Sequence, residues 1–176
     1  MLEKLQEIFE ITVFFYNPNI SENIEYRKRV KEQKRLIEAF NGKNPKCPIK
    51  ITEGDYEPEE FYRIAKGLEK CPEGGERCFR CYALRLEKTA QLAKEEGFDY
   101  FTTTLTISPL KNAGKLNEIG EEMAEKYKTT FLPSDFKKKE GYKRSIELSK
   151  EYDLYRQNFC GCAFSKAESL KREAGA

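Results

Sequence analysis

Apolar residues recur along this chain with two periods, and the alternation between them sets the expected fold. Leu2, Leu5, Ile8 and Phe9 share one face of a helix over residues 1–10. The run ITVFFY at 11–16 is continuous, short, and β-branched or aromatic, which predicts a buried strand. Asn17-Pro18-Asn19 breaks it, and a charged helix follows over about 22–40 with Ile24, Val30, Ile37 and Phe40 inward. A turn from Gly42 to Pro48 leads to a second strand at 49–52. Pro58 suits the first turn of a short helix over 58–66.

After the breaker-rich stretch KCPEGGER, a long helix is expected over about 78–96, closed by Gly97. Leu84, Leu86, Ala90, Leu92 and Ala93 form its apolar positions. Tyr100–Leu105 predicts a third strand, followed by the loop SPLKN and a helix over about 114–127. A short strand at 129–132, a loop from Pro133 to Lys139 and a helix over 141–152 come next. The stretch YRQNFCGCAFS is irregular, and a terminal helix is expected from Lys166.

Helices alternating with strands predict a single α/β domain over residues 1–176, a Rossmann-like doubly wound parallel sheet with irregular cysteine-bearing segments. Ligands in such folds bind beyond the carboxyl ends of strands. Four polar loops fall there: Asn17-Pro18-Asn19, Gly54-Asp55-Tyr56, Ser108 to Asn112, and Ser134-Asp135. The chain opens on a helix that feeds a strand, whereas doubly wound units more often open on a strand. An N-terminally truncated domain is therefore expected.

Charge changes this picture little. The net charge is +2 although 35 % of residues are charged, which implies an ion-paired surface. Two basic stretches stand out, RKRVKEQKR at 27–35 and FKKKEGYKR at 136–144, each readable as a solvated helix face or as a phosphate-contacting surface. No apolar run is long enough for a membrane span, and the N-terminus has no signal-peptide core, so a cytoplasmic protein is expected.

The chemistry points to sulfur. There is no histidine, which excludes a Ser/His/Asp triad, and neither a P-loop nor GxGxxG occurs. Of six cysteines, Cys78 and Cys81 form C-x-x-C, and Cys160 and Cys162 form C-x-C around Gly161. Close pairs in a reducing compartment indicate metal or catalysis. Cysteines at a helix start sit where amides and the positive helix end favour thiolate, with Arg77, Arg80 and Arg85 nearby. A C-x-C disulfide is strained and easily reduced, and Gly161 permits the bend. Four thiolates suit a Cys₄ zinc site, an iron–sulfur site, or one metal pair beside one redox pair. Cys47 and Cys71 have no close partner in sequence.

Five stretches together resemble one family: FFYNPNI at 14–20, PEGGERCFRCYALRLEKTA at 72–90, FTTTLTISPLKN at 101–112, SDFKKKEGYKRS at 134–145 and LYRQNFCGC at 154–162. They are similar to the QueH-type epoxyqueuosine reductases, and the likeness spans nearly the whole chain. The resemblance implies a nucleotide alpha-hydrolase-like fold. It also implies reduction of epoxyqueuosine in tRNA to queuosine, the last step of that modification, without cobalamin. It implies a [4Fe–4S] cluster with Cys78 and Cys81 as ligands. Cys160 and Cys162 are then either a redox-active pair or ligands of an additional mononuclear iron. Family members also carry an adjacent Cys-Cys after an N-terminal strand, which this sequence does not contain.

Deoxygenating an epoxide takes two electrons and a proton source. Cysteine pairs and a cluster supply the electrons, and Asp135 is a candidate for the proton beside Cys160 and Cys162. Substrate contacts are expected from Tyr16, Asn17 and Asn19, from Thr104, Lys111 and Asn112, and from Tyr155, Arg156 and Gln157, which border the motif loops. A modified base in an anticodon loop is read by stacking and basic contacts. The expected partners are tRNA and a separate electron donor, with no membrane. Two other classes compete: a zinc-stabilised RNA-binding domain without catalysis, and a nucleotide-using thiolation enzyme, which needs a phosphate-gripping loop absent here.

Overall fold

The computed structural model describes residues 1–43 and 45–174. The chain packs as two compact units, Met1–Glu59 with Ile146–Ala176, and Glu60–Ser145. Among the described residues, no helix is long and apolar enough to cross a membrane.

The first unit is built on a parallel strand pair joined by a helix. Helix α1 (Leu2–Leu5) leads into β1 (Thr12–Phe15), helix α2 (Asn23–Asn41) and β2 (Lys50–Glu53). The strands pair in parallel from Thr12↔Lys50 to Phe15↔Glu53. Parallel neighbours need a crossover, and α2 supplies it. Its buried side chains are Tyr26, Val30, Ile37 and Phe40. Phe15, Ile20, Tyr26 and Val30 form one apolar cluster, and Ile37, Phe40 and Ile49 form another. Ile24, expected inward, is 84 % exposed. It lies two residues before Tyr26, about 200° around the helix at 3.6 residues per turn, and Tyr26 takes the inward place. Helix α1 is also shorter than the expected 1–10, and Ile8 is exposed.

The second unit packs helix on helix. It contains α4 (Glu76–Glu95) and α5 (Ala113–Tyr127), with α3 (Pro58–Ala65) leading in and α6 (Gly141–Glu151) leading out. Tyr82, Leu86, Ala90 and Ala93 of α4 meet Leu116 and Ile119 of α5, with Phe101 and Phe131 completing the cluster. The strand expected at 100–105 shrinks to one parallel bridge, Phe101↔Phe131. The Phe101 amide donates to Thr130 at 2.9 Å and the Leu132 amide to Phe101 at 2.8 Å. Beyond it the Thr103 hydroxyl accepts from the Leu105 amide at 3.2 Å, and a 3₁₀ turn occupies Leu105–Ile107. A side chain that serves its own backbone in this way competes with a strand ladder. Parallel pairing is confined to these two places among the described residues, so the architecture is mixed α/β. Helix α7 (Ala163–Ala174) returns to the first unit and starts earlier than expected, just after Cys162.

Candidate functional site

Each unit carries one cysteine pair. In the first, the C-G-C segment is held against the loop that follows β1. The Asn19 amide donates to the Cys160 carbonyl at 3.2 Å. The Ser21 backbone amide donates to the Gly161 carbonyl at 3.1 Å. Arg29 donates to the carbonyls of Cys160 at 3.0 Å and Phe159 at 3.2 Å. Its own Nε pairs with Glu25 at 2.7 Å, and both side chains are almost buried. Glu25 in turn accepts from the Tyr155 hydroxyl at 3.1 Å. Burial, then the adjacent Glu25 charge, pushes the Tyr155 hydroxyl pKa up, which keeps it a donor.

The sulfurs themselves are positioned by the start of α7. Cys160 Sγ and Cys162 Sγ are 3.5 Å apart, a contact between thiols rather than a bond. The Ser165 amide donates to Cys162 Sγ at 3.3 Å, and the Ser165 hydroxyl accepts from the Cys160 amide at 3.2 Å. Amide donation at a helix start stabilises thiolate. Gly161 has φ +114°, and a Cβ there would lie 2.7 Å from Ile20 Cγ1. Only glycine meets both demands. Asn19 is buried, and its Oδ1 has no hydrogen-bond partner.

In the second unit, Cys78 and Cys81 are buried in the first turns of α4. Their i, i+3 spacing sets them on one helix face. The Gly74 amide donates to Cys78 Sγ at 3.3 Å. The preceding loop is fixed by Arg77, whose buried guanidinium donates to the carbonyls of Leu68 at 3.0 Å and Glu69 at 3.1 Å, and to Cys71. Glu73 of this loop pairs with Lys111 at 3.0 Å, nearly out of water. Lys137 donates to the Lys111 carbonyl at 3.1 Å and faces Asp135 at 3.7 Å. Asp135 also pairs with Lys138 at 3.4 Å, while its Oδ1 is buried without a hydrogen bond.

The expected residues divide between the two units. Asn19, Tyr155, Cys160 and Cys162 fall into one connected network. Tyr16 is buried and stacked on Phe14, and Asn17 closes the turn through its carbonyl to Ile20. Arg156 and Gln157 are exposed, with Arg156 donating to Ser149 at 3.1 Å. Lys111 and Asp135 join the loop ahead of Cys78. Thr104 is exposed, and Asn112 caps α5 by accepting from the Lys115 amide at 3.0 Å. Sequence reasoning missed Arg29, Glu25, Ser165 and Glu73. Arg29 and Glu25 were legible in principle, because each lies near the inward stripe through Tyr26 and Val30.

The donor set bears on the expected cluster. Two buried cysteines on one face of a helix start, one receiving an amide hydrogen bond, fit part of an iron–sulfur ligand shell. Among the described residues, no group of three or more His, Cys, Asp or Glu side chains is arranged to hold a metal ion.

A family model described as "Epoxyqueuosine reductase QueH" matches residues 1–168. The chain is 47 % identical over 164 residues to the epoxyqueuosine reductase QueH of Streptococcus pyogenes, covering 93 % of this chain and 64 % of that protein. It is 45 % identical to the one from Staphylococcus epidermidis, covering 93 % of this chain and 69 % of that protein. It is 36 % identical to the one from Thermotoga maritima, covering 99 % of this chain and 88 % of that protein.

Proposed function

This chain belongs to the epoxyqueuosine reductase QueH family, and on that premise we propose that it reduces epoxyqueuosine in tRNA to queuosine. The family's function is epoxyqueuosine reduction, an oxidoreductase activity. The observation that carries the reading is the family match through residue 168, which takes in both cysteine pairs. It favours the enzyme over a zinc-stabilised RNA-binding domain. A Rossmann-like, nucleotide alpha-hydrolase-like arrangement is the fold we propose around the β1–α2–β2 unit. A cytoplasmic location goes with a tRNA substrate.

The balance of the reaction fits a dithiol. The epoxide oxygen leaves as water, the two carbons become an alkene, and two electrons and two protons are consumed. Cys160 and Cys162 supply both electrons by passing from two thiols to one disulfide. Their sulfurs must close from 3.5 Å to the ~2.05 Å of a disulfide. The Arg29 and Asn19 hydrogen bonds hold the Cys160 carbonyl while they do so. Asp135 is the proposed carrier of a proton. Asn19, with its buried and unpaired Oδ1, and Tyr155 are the substrate contacts we place beside the thiols.

Cys78 and Cys81 are the proposed ligands of a [4Fe–4S] cluster. Bound there, such a cluster would supply one-electron transfer. Holding an additional mononuclear iron is the other proposed use of Cys160 and Cys162. Anaerobic loading with iron and sulfide tests the metal assignment. A brown protein with thiolate-to-iron absorption is expected, lost in Cys78→Ala and in Cys81→Ala but kept in Cys47→Ala. Zinc as the only bound metal would contradict it.

A further inference from the structure

The outer face of α2 carries charge that the fold does not use. Of the two basic stretches, the one at 136–144 has Lys137 and Lys138 paired with Asp135 and Lys143 with Glu140. The stretch at 27–35 is different. Arg29 is turned inward to Glu25 and the C-G-C carbonyls, Lys34 pairs with Glu53 at 2.5 Å, and Arg35 pairs with Glu32 at 3.0 Å. Lys28 lies over the Tyr155 ring. Among the described residues, Arg27 and Lys31 have no ion-pair partner.

Arg27 and Lys31 stand at i, i+4, with Lys34 three residues further, so three cations share one side of the helix. Like charges at this spacing repel and weaken a helix. A cleft of about 580 Å³ opens on this side, lined by Tyr26, Arg27, Val30, Lys31, Lys34 and Arg35 among others. Its apolar lining is Tyr26 and Val30, and four of its six charged residues are cations, the two acids being Glu38 and Glu53.

We propose that this face of α2 is where the phosphate backbone of tRNA lies, with Arg27 and Lys31 as phosphate contacts. The inference rests on the tRNA reading above and deepens it. A polyanion is the partner that such a row of cations fits, because each contact releases condensed counterions. The same helix would then contact tRNA through Arg27 and Lys31 and hold the thiol segment through Arg29.

The test is tRNA affinity, measured by fluorescence anisotropy over a series of salt concentrations, for wild type, for Arg27→Ala with Lys31→Ala, and for a control pair, Lys139→Glu with Lys143→Glu. Thermal melting checks that all three are folded. The α2 variant should bind more weakly, and its plot of log affinity against log salt should be shallower by about 1.5, near the 0.7–0.9 expected per phosphate contact. At saturating tRNA its turnover number should match wild type. An unchanged slope overturns the inference, and if turnover then falls, the face belongs to an acidic protein partner. An equal loss in the control pair overturns it too. Wild-type protein that binds no tRNA removes the functional reading itself, which the variants alone do not touch.

Discussion

Gly161 and Arg29 show how single residues place the sulfurs. Gly161→Ala introduces a Cβ 2.7 Å from Ile20 at a φ of +114°. A strained backbone of this kind costs roughly 1–3 kcal/mol. We expect a lower melting temperature and a thiol pair that no longer closes cleanly, read by disulfide formation under a mild oxidant. Wild-type behaviour in both would remove Gly161 from the account. Arg29→Met leaves Glu25 with only the Tyr155 hydroxyl, the Cys160 carbonyl with only Asn19, and the Phe159 carbonyl without its Arg29 donor, a loss of roughly 3 kcal/mol. Arg35→Met removes a solvent-screened pair with Glu32 and two surface contacts to the Tyr152 and Asp153 carbonyls, and should cost less than Arg29→Met. Urea denaturation of both variants checks the ordering. Arg29 was hard to single out in sequence because it sits in a run of cations. Only its angular position, three residues past Tyr26, marks it as inward.

At the scale of elements, the helices and the β1–β2 pair were legible because period and breakers agreed. The third strand was not, because Thr103 serves its own backbone and ends the extended segment early. Helix α1 and the inward face of α2 were misjudged where single apolar residues, Ile8 and Ile24, face water. The α4–α5 pairing has an ionic clasp. Hydrogen bonds from Lys126, then from Tyr127, hold the Glu87 carboxyl below the usual carboxylate range. A depressed acid contributes stability above its unfolded value of about 4.3 and loses it as pH falls through the lower folded value. Glu87→Gln should therefore be less stable than wild type near neutral pH, with the difference shrinking at acid pH. Denaturation curves at several pH values check this, and a difference that does not change with pH would contradict it. Gly120 is a further element-scale constraint, since a Cβ there would run into the Phe131 ring.

For the whole molecule, the sequence motifs marked the family more clearly than they marked the architecture. C-x-x-C and C-x-C were visible from spacing alone, yet spacing did not reveal that each pair lies in its own compact unit. Nor did it reveal the buried Arg77 that fixes the loop ahead of Cys78. Those features depend on burial and on side-chain hydrogen bonds to loop carbonyls, which leave no periodic signature. The central claim is that this chain removes the epoxide oxygen from a tRNA base. The most direct measurement is nucleoside mass analysis of epoxyqueuosine-containing tRNA after anaerobic incubation with the iron-loaded protein and a chemical reductant. The account predicts queuosine, one oxygen lighter, with wild type, and none with Cys160→Ser although the iron at Cys78 and Cys81 remains. Full conversion by Cys160→Ser would contradict the dithiol role, and no conversion by the loaded wild-type protein would contradict the function itself.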